Sequence, residues 1–455
     1  MADDLVLESE QQCVAWVLSG CRPRSAFRIG TEYERLVIDA SGRPIGYEGP
    51  AGIHALFERL MQQYAWRPVL EGDRPIALER SGASISLEPA GQFELSGAPL
   101  ALVDAMVAER DHHLAELDDI ARELGLRYVF AGMNPIDTPQ TVPYMPKKRY
   151  QHMRAWMPRV GALGLDMMHL TCTVQANLDF ETPEEAMEMF RLAYLATPML
   201  IALFANSPWR HGAPTGMAST RAWIWTDVDD ARCKPGDWVF DPAATVDDYV
   251  QWAFDVPLYF VKHVGEDGVS AYLPADRPGK TFRDFLREGD RGRPATLGDF
   301  ELHMSTVFPD VRLKRYIEVR AADCVPPDLL PALPALCKGL LYDPVSRRAA
   351  LGLLRDGDRR IDRAALRDAA SREGLDGRIG DLAVGPLAVA LVDLARCGLQ
   401  RLEGEWGPDV AARDAIDAID AIARGEREPL WRVVDRTLRT TPSLSALAHP
   451  LAPHR

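Results

Sequence analysis

Polar and apolar residues alternate with period two in several stretches of the chain, and this pattern predicts strands that each bury one face. In Ser84–Gly97, Ile85, Leu87, Phe93 and Leu95 fall on one side, and Ser84, Ser86, Glu88, Gln92, Glu94 and Ser96 on the other. Pro89-Ala90-Gly91 between the halves is a three-residue hairpin signal. Such a hairpin gathers Glu88, Gln92 and Glu94 on one face. In Phe27–Ile38, Glu32 and Glu34 stand two apart and share a strand face. A helix would separate them by about 200°. In Thr171–Phe180, Val174, Ala176 and Leu178 oppose Thr173, Gln175, Asn177 and Asp179. Val311–Arg320 reads as one more strand, with Val311, Leu313, Ile317 and Val319 against Arg312, Lys314, Tyr316, Glu318 and Arg320, broken only by Arg315.

Helical spacing covers 4–18, 51–63, 99–124, 149–158, 182–206 and the start of 244–264. Residues 127–131 read as a short strand, 66–80 as an irregular link, 133–148 as a loop, and 265–298 as a polar, Gly-rich mobile segment. His112-His113 in the 99–124 helix has no partner at ligand spacing and reads as a surface pair. From 326 onward the chain is helical, at 330–342, 346–355, 379–398 (interrupted by Gly385-Pro386) and 409–423, with a loose tail after Thr441. No linker divides it. The expected organisation is α+β, with an antiparallel-sheet core and flanking helices over 1–345 and a helical part over 346–455 packed on the same domain.

Composition narrows the partners. A net charge of −14 disfavours nucleic acid and anionic membrane, so any anion must be met locally by arginines or bound cations. Seven scattered cysteines without a Cys-x-x-Cys argue against a disulfide framework or zinc ribbon. They fit reducing cytoplasm, the expected location. No run reads as long and apolar enough to span a bilayer. Small molecules are the expected partners, to a monomer or homodimer.

Taken alone, the acidic hairpin face reads equally as a solvated outer face. Repetition changes that: Glu32, Glu34, Glu88, Glu94 and Glu318 recur with Gln175, Asn177 and Arg320. Oxygen donors of this kind suit Mg²⁺ or Mn²⁺ rather than zinc. Mg²⁺ in turn commonly accompanies a nucleotide triphosphate in phosphoryl transfer. Neither a P-loop nor a dinucleotide-binding glycine motif is present. A nucleotide-binding homologue without turnover and a carboxylate-pair hydrolase remain as other readings.

Ile29-Gly-Thr-Glu-Tyr-Glu, Ile85–Ala98, Gly164-Leu-Asp-Met-Met, Thr171–Phe180, Ile224-Trp-Thr-Asp and Arg312–Arg320 resemble, in this order, glutamate–cysteine ligases of the plant and proteobacterial type. The resemblance implies a glutamine-synthetase-like catalytic fold, an antiparallel sheet curved into a funnel with helices outside. It implies ATP-dependent joining of the glutamate γ-carboxylate to the cysteine amine, the first step of glutathione synthesis, through γ-glutamyl phosphate. Glu32, Glu34, Glu88, Glu94 and Glu318 match its metal-binding glutamates, with Gln175 where related bacterial ligases place a metal-ligating histidine. Arg221 matches the arginine on the glutamate α-carboxylate, and Arg320 the one on the transferring phosphoryl group. Arg320 and Glu88 are thus the expected catalytic residues. Gln92, Asn177 and Trp225 are expected at the substrates, and Arg312 and Lys314 at the nucleotide. Tyr33 and Arg35 stand where the family has His and Lys, and point away from the glutamates. Leu170 and Cys324 are further departures, near the expected acceptor pocket, and a γ-glutamyl ligase with a different amine acceptor is the alternative they leave open. His303 also matches and reads as a packed structural histidine; Cys324 and Cys337 read as free thiols.

Overall fold

The computed structural model describes residues 5–264, 270–355 and 362–451. Nine strands form its main sheet: β1 (Ile29–Ile38), β2 (Arg67–Glu71), β3 (Arg74–Arg80), β4 (Ala83–Leu87), β5 (Phe93–Ser96), β6 (Arg127–Val129), β7 (Val174–Leu178), β8 (Val311–Leu313) and β9 (Ile317–Val319). The order is β8-β9-β7-β1-β5-β4-β3-β2, with β6 also on β1, and every pairing is antiparallel. The period-two apolar set is its buried side: Ile85, Leu87, Phe93, Leu95, Val174, Ala176, Leu178, Ile317 and Val319 are all at most 1% exposed. Helices Pro183–Leu203 and Ala332–Cys337 pack on the sheet.

The predicted hairpin forms. Gly91 adopts φ +85°, its N–H donates to the Glu88 carbonyl, and the Glu88 N–H donates to the Gln92 carbonyl. Other expectations change. Residues 66–80 are the hairpin of β2 and β3 rather than a link. The stretch 311–320 is a hairpin rather than one strand, turning at Lys314–Tyr316, so that Arg312 lies directly across from Glu318. Gly385-Pro386 opens helix Val384–Trp406 instead of interrupting it, as Pro tolerates a first turn. The tail docks: Ala448 bridges Val129, and the His449 N–H donates to the Tyr128 carbonyl. Residues 265–269 lie outside the described residues, and the rest of 265–298 holds strand Ser270–Leu273 and helix Phe282–Glu288.

His113 is not at the surface. It is 1% exposed, stacks on Phe93 and accepts from Arg35 Nη2 at 2.6 Å; burial and nearby cations keep it neutral. Arg35 itself is fully buried among the Tyr33, Phe93, Tyr128 and Phe130 rings, on the side away from the glutamates. His112, next to His113 in the helix, is exposed and reaches Glu116, its i+4 residue, at 3.0 Å. His303 is the packed histidine expected: Nε2 donates to the Ala253 carbonyl at 2.7 Å, the ring stacks on Phe282, and burial lowers its pKa to about 4. Pro183–Leu203 has the length and apolarity of a membrane span, against the sequence expectation, yet is the buried core helix. All seven cysteines are free.

The cross-strand pair Arg312–Glu318 closes the edge of the sheet. Both are nearly inaccessible, and Arg312 also donates to the carbonyls of Ser305 and Val307. Removing Arg312 strips Glu318 of its two-point partner, leaving Arg320 on Oε1 and Lys314 at 3.9 Å, and takes the donor from two carbonyls. Arg312→Met is expected to cost about 3 kcal/mol, the low end for breaking a buried pair, measured as a shift of the urea midpoint.

Candidate active site

The polar face of the sheet opens on a cavity of about 240 Å³. Strand register delivers its acids. β1 brings Glu32 and Glu34, β5 brings Glu94 directly opposite Glu34, the β4–β5 turn brings Glu88, and β7 brings Gln175 opposite Glu32. Glu34 Oε2 accepts from the Thr173 N–H at 2.9 Å. Glu32 Oε1 accepts from Asn177 Nδ2 at 2.7 Å, and Glu94 Oε1 from Ser96 Oγ at 2.8 Å. No ion pair reaches any of these four carboxylates among the described residues.

The consequence is electrostatic. Burial and then the charges of Glu318 and Glu94 push the Glu32 carboxyl up to about 7. Glu34 rises well above its ordinary value through burial, Glu94 and Glu88; Glu94 rises through burial and Glu88. Crowded, part-desolvated carboxylates with amide oxygens beside them form a donor set that fits a hard divalent cation. No three acids among the described residues are gathered tightly enough to enclose an ion as they stand.

Arginines and an apolar wall complete the cavity. Arg221, on the short helix Thr220–Ile224, donates through Nη1 to the Ala321 carbonyl at 3.2 Å and through Nη2 to the Arg320 carbonyl at 3.0 Å; its buried Nε has no partner. Asp323 fixes this helix from beneath, accepting from Asn206 N, Ser207 Oγ and the capping Ser219 Oγ. Arg320 lines the cavity and donates through Nη1 to Gln175 Oε1 and Glu318 Oε1, both at 3.0 Å. Met153, Met167, Met168, Trp225, Phe260 and Phe308 form the apolar side.

Not every expected site residue reaches the cavity. Glu318 lies outside its lining, 1% exposed; Arg312 grips both oxygens, and Arg320 shares Oε1. These cations hold its carboxyl well below the ordinary range, so it anchors arginines rather than offering an open oxygen to a metal. Arg312 lines the cavity but spends its fork on Glu318 and two carbonyls, which leaves no bidentate face for nucleotide phosphate. Lys314 is outside the lining, 3.9 Å from Glu318, and burial with Arg312 nearby lowers its pKa to about 8. Gln92 borders the cavity, but its amide is committed: Oε1 accepts from Ala90 N, and Nε2 donates to the Met168 and Thr171 carbonyls. It holds the hairpin turn to the end of helix Gly164–Leu170, just before the strand that carries Gln175. Asn177 is also outside the lining and donates its amide to Glu32.

Sequence reasoning missed Arg149, which lines the cavity with a buried, unpartnered Nε. Helix Lys148–Trp156 was legible, but apolar spacing says nothing of where a first-turn arginine points. Lys147, one residue before, donates to the Leu87 carbonyl at 2.8 Å and ties this segment to the Glu88 turn.

The fold is α+β and glutamine-synthetase-like, an antiparallel sheet that presents acids and arginines across one cavity. Residues 28–424 match glutamate-cysteine ligase family 2, and the chain belongs to that family. The chloroplastic glutamate–cysteine ligase of Nicotiana tabacum is 40% identical over 407 residues, 88% of this chain and 76% of its own. That of Arabidopsis thaliana is 40% identical over 397 residues, 86% of this chain and 74% of its own. The fold is shared with a Francisella tularensis glutamate–cysteine ligase in complex with AMP (TM-score 0.51, 13% identity, 92% of this chain and 86% of that one). It is shared also with a bifunctional glutathione synthetase from Pasteurella multocida (TM-score 0.51, 10% identity, 97% of this chain and 52% of that one). The plant relatives overturn the expected cytoplasmic location, since their names place those ligases in the chloroplast. Scattered free cysteines report a reducing environment, not an address.

The crowded acids are a stability liability that an uncharged side chain relieves. Glu34→Gln and Glu94→Gln are each expected to raise the melting temperature of the metal-free protein and to diminish the further rise on adding Mg²⁺. Thermal melts with and without Mg²⁺ measure both.

Proposed function

We propose that the chain is an ATP-dependent ligase joining the γ-carboxylate of L-glutamate to the amine of L-cysteine, the first step of glutathione biosynthesis. The observation that carries this reading is one cavity with unpaired carboxylates on one side, Arg149, Arg221 and Arg320 beside them, and a methionine–aromatic wall closing it. ATP supplies the driving force. A γ-carboxylate oxygen attacks the γ-phosphorus and ADP leaves, giving γ-glutamyl phosphate. The cysteine amine, deprotonated to its neutral form, then attacks the acyl carbon; the nitrogen gives up a further proton as the amide forms, and phosphate leaves with one carboxylate oxygen.

Glu32, Glu34, Glu88, Glu94 and the Gln175 amide oxygen would hold Mg²⁺. When bound, the ion neutralises phosphate charge as the phosphoryl group transfers. Arg320, held by Glu318 and Gln175, stabilises the transferring group. Arg221 binds the glutamate α-carboxylate, and Arg149 adds a second guanidinium for substrate anions. Trp225, Phe260 and Phe308 favour a thiol-bearing acceptor, because ring edges make favourable contacts with sulfur.

Glutamate labelled with ¹⁸O in the γ-carboxylate is expected to deliver one label to inorganic phosphate, read by mass spectrometry. Label retained wholly in the peptide product excludes the acyl phosphate. The two arginines separate kinetically. The α-carboxylate keeps its charge throughout, so Arg221→Lys is expected to raise the glutamate KM more than it lowers kcat. Arg320 acts mainly in the transition state, so Arg320→Lys is expected to lower kcat on the order of 10³-fold. Steady-state kinetics with folding checked by circular dichroism measure both.

A further inference from the structure

Arg221 and Arg320 come from segments about a hundred residues apart, yet one side chain from the C-terminal helices touches both neighbourhoods. Arg367 lies on helix Arg363–Glu373. Its Nε donates to Asp310 Oδ2 at 3.0 Å and its Nη2 to Oδ1 at 3.1 Å, a bidentate pair. Its Nη1 donates to the Ala222 carbonyl at 2.9 Å. Ala222 follows Arg221 in its helix, and the Asp310 carbonyl accepts from the Arg320 N–H at 3.1 Å. Arg221 Nη2 in turn donates to the Arg320 carbonyl. The contacts form a closed ring: Arg221, Ala222, Arg367, Asp310, Arg320 and back to Arg221.

The same helix grips the Arg221 segment again at its far end. The N–H groups of Ala218 and Ser219 donate to the carbonyls of Arg372 and Ser371, both at 2.9 Å. Arg367 and Asp310 border both a crevice shared with Arg221 and Arg320 and a second cavity of about 360 Å³. The ring therefore has open space on one side.

We propose that Arg367 is a positioning residue that fixes the separation of Arg221 from Arg320. Glutamate presents its α-carboxylate and its γ-carboxylate a set distance apart. An arginine pair whose spacing drifts cannot hold one end while phosphoryl transfer is completed at the other, and small misplacements of this kind cost rate steeply. The proposal rests on the roles given above to Arg221 and Arg320.

The test is steady-state kinetics of Arg367→Met and Arg367→Lys in the full chain, corrected for folded fraction by circular dichroism, beside Arg221→Lys and Arg320→Lys. Arg367→Met is expected to lower kcat on the order of tenfold or more and to raise the glutamate KM as well. Lysine keeps the charge beside Asp310, but its single nitrogen cannot occupy the separate positions from which Nε and Nη2 meet Asp310 and Nη1 meets Ala222, so the fork's hold on both segments is lost. Arg367→Lys is therefore expected to fold while kcat stays lowered and the glutamate KM raised, losses in the folded fraction that a purely structural brace would not produce. Should Arg367→Met fail to fold, Asp310→Asn tests the same ring from its other side and is expected to lower kcat. Native kcat and KM in folded Arg367→Met, or in Asp310→Asn where the first does not fold, overturn the proposal alone. Native kinetics in Arg221→Lys and Arg320→Lys overturn the assigned roles and the proposal with them.

Discussion

The site depends on a repulsion built into strand pairing. β1 and β5 place Glu34 directly opposite Glu94, and like charges at opposed positions destabilise a sheet. The chain cannot escape by slipping one residue, because that would turn Leu95 and Phe93, both buried, out of the core. The apolar face dictates the register, and the register forces the acids together. Stability is thereby given up where the chemistry needs unpaired negative charge.

Beside this negative region the hairpin of β8 and β9 builds a positive one. Arg312, Lys314 and Arg320 surround a single carboxylate, Glu318, so the cluster keeps a surplus of positive charge. Gln175 belongs to both regions: it faces Glu32 across β1 and β7, and its amide oxygen accepts from Arg320. A substrate carrying phosphate and a divalent ion has matching polarity along its length. The sheet thus supplies an ordered sequence of charges rather than a uniform pocket.

The half-buried strands were legible because burial on one face imposes period two, and Glu32, Glu34, Glu88, Glu94, Gln175, Arg221, Trp225 and Arg320 all reach the cavity. What escaped were features that periodicity does not encode. The turn at Lys314–Tyr316 has no Gly, Asn or Pro, so two short strands read as one. Arg312 and Glu318 then looked like neighbours along one face instead of partners across a hairpin. Gln92 lies on the polar side as expected, but its amide meets carbonyls brought in by the end of helix Gly164–Leu170 and its cap Thr171, some eighty residues away. Arg149 sits in a helix whose apolar pattern is weak, and His113 is buried through a guanidinium and an aromatic ring rather than through its own polarity.

The free cysteines carry a consequence for a protein that handles a thiol. Cys324 donates its Sγ–H to the Glu34 carbonyl immediately behind the acidic face, and Cys172 is fully buried near it. Burial and the Glu34 charge push both thiols up, and burial pushes Cys13 and Cys337 up to about 12. Disulfide exchange proceeds through the thiolate, which these four scarcely form near neutral pH. A molecule of cystine or a mixed disulfide accompanying the amino acid therefore finds no ready nucleophile among them, and the residues nearest the reacting groups stay inert toward the sulfur chemistry of their own substrate.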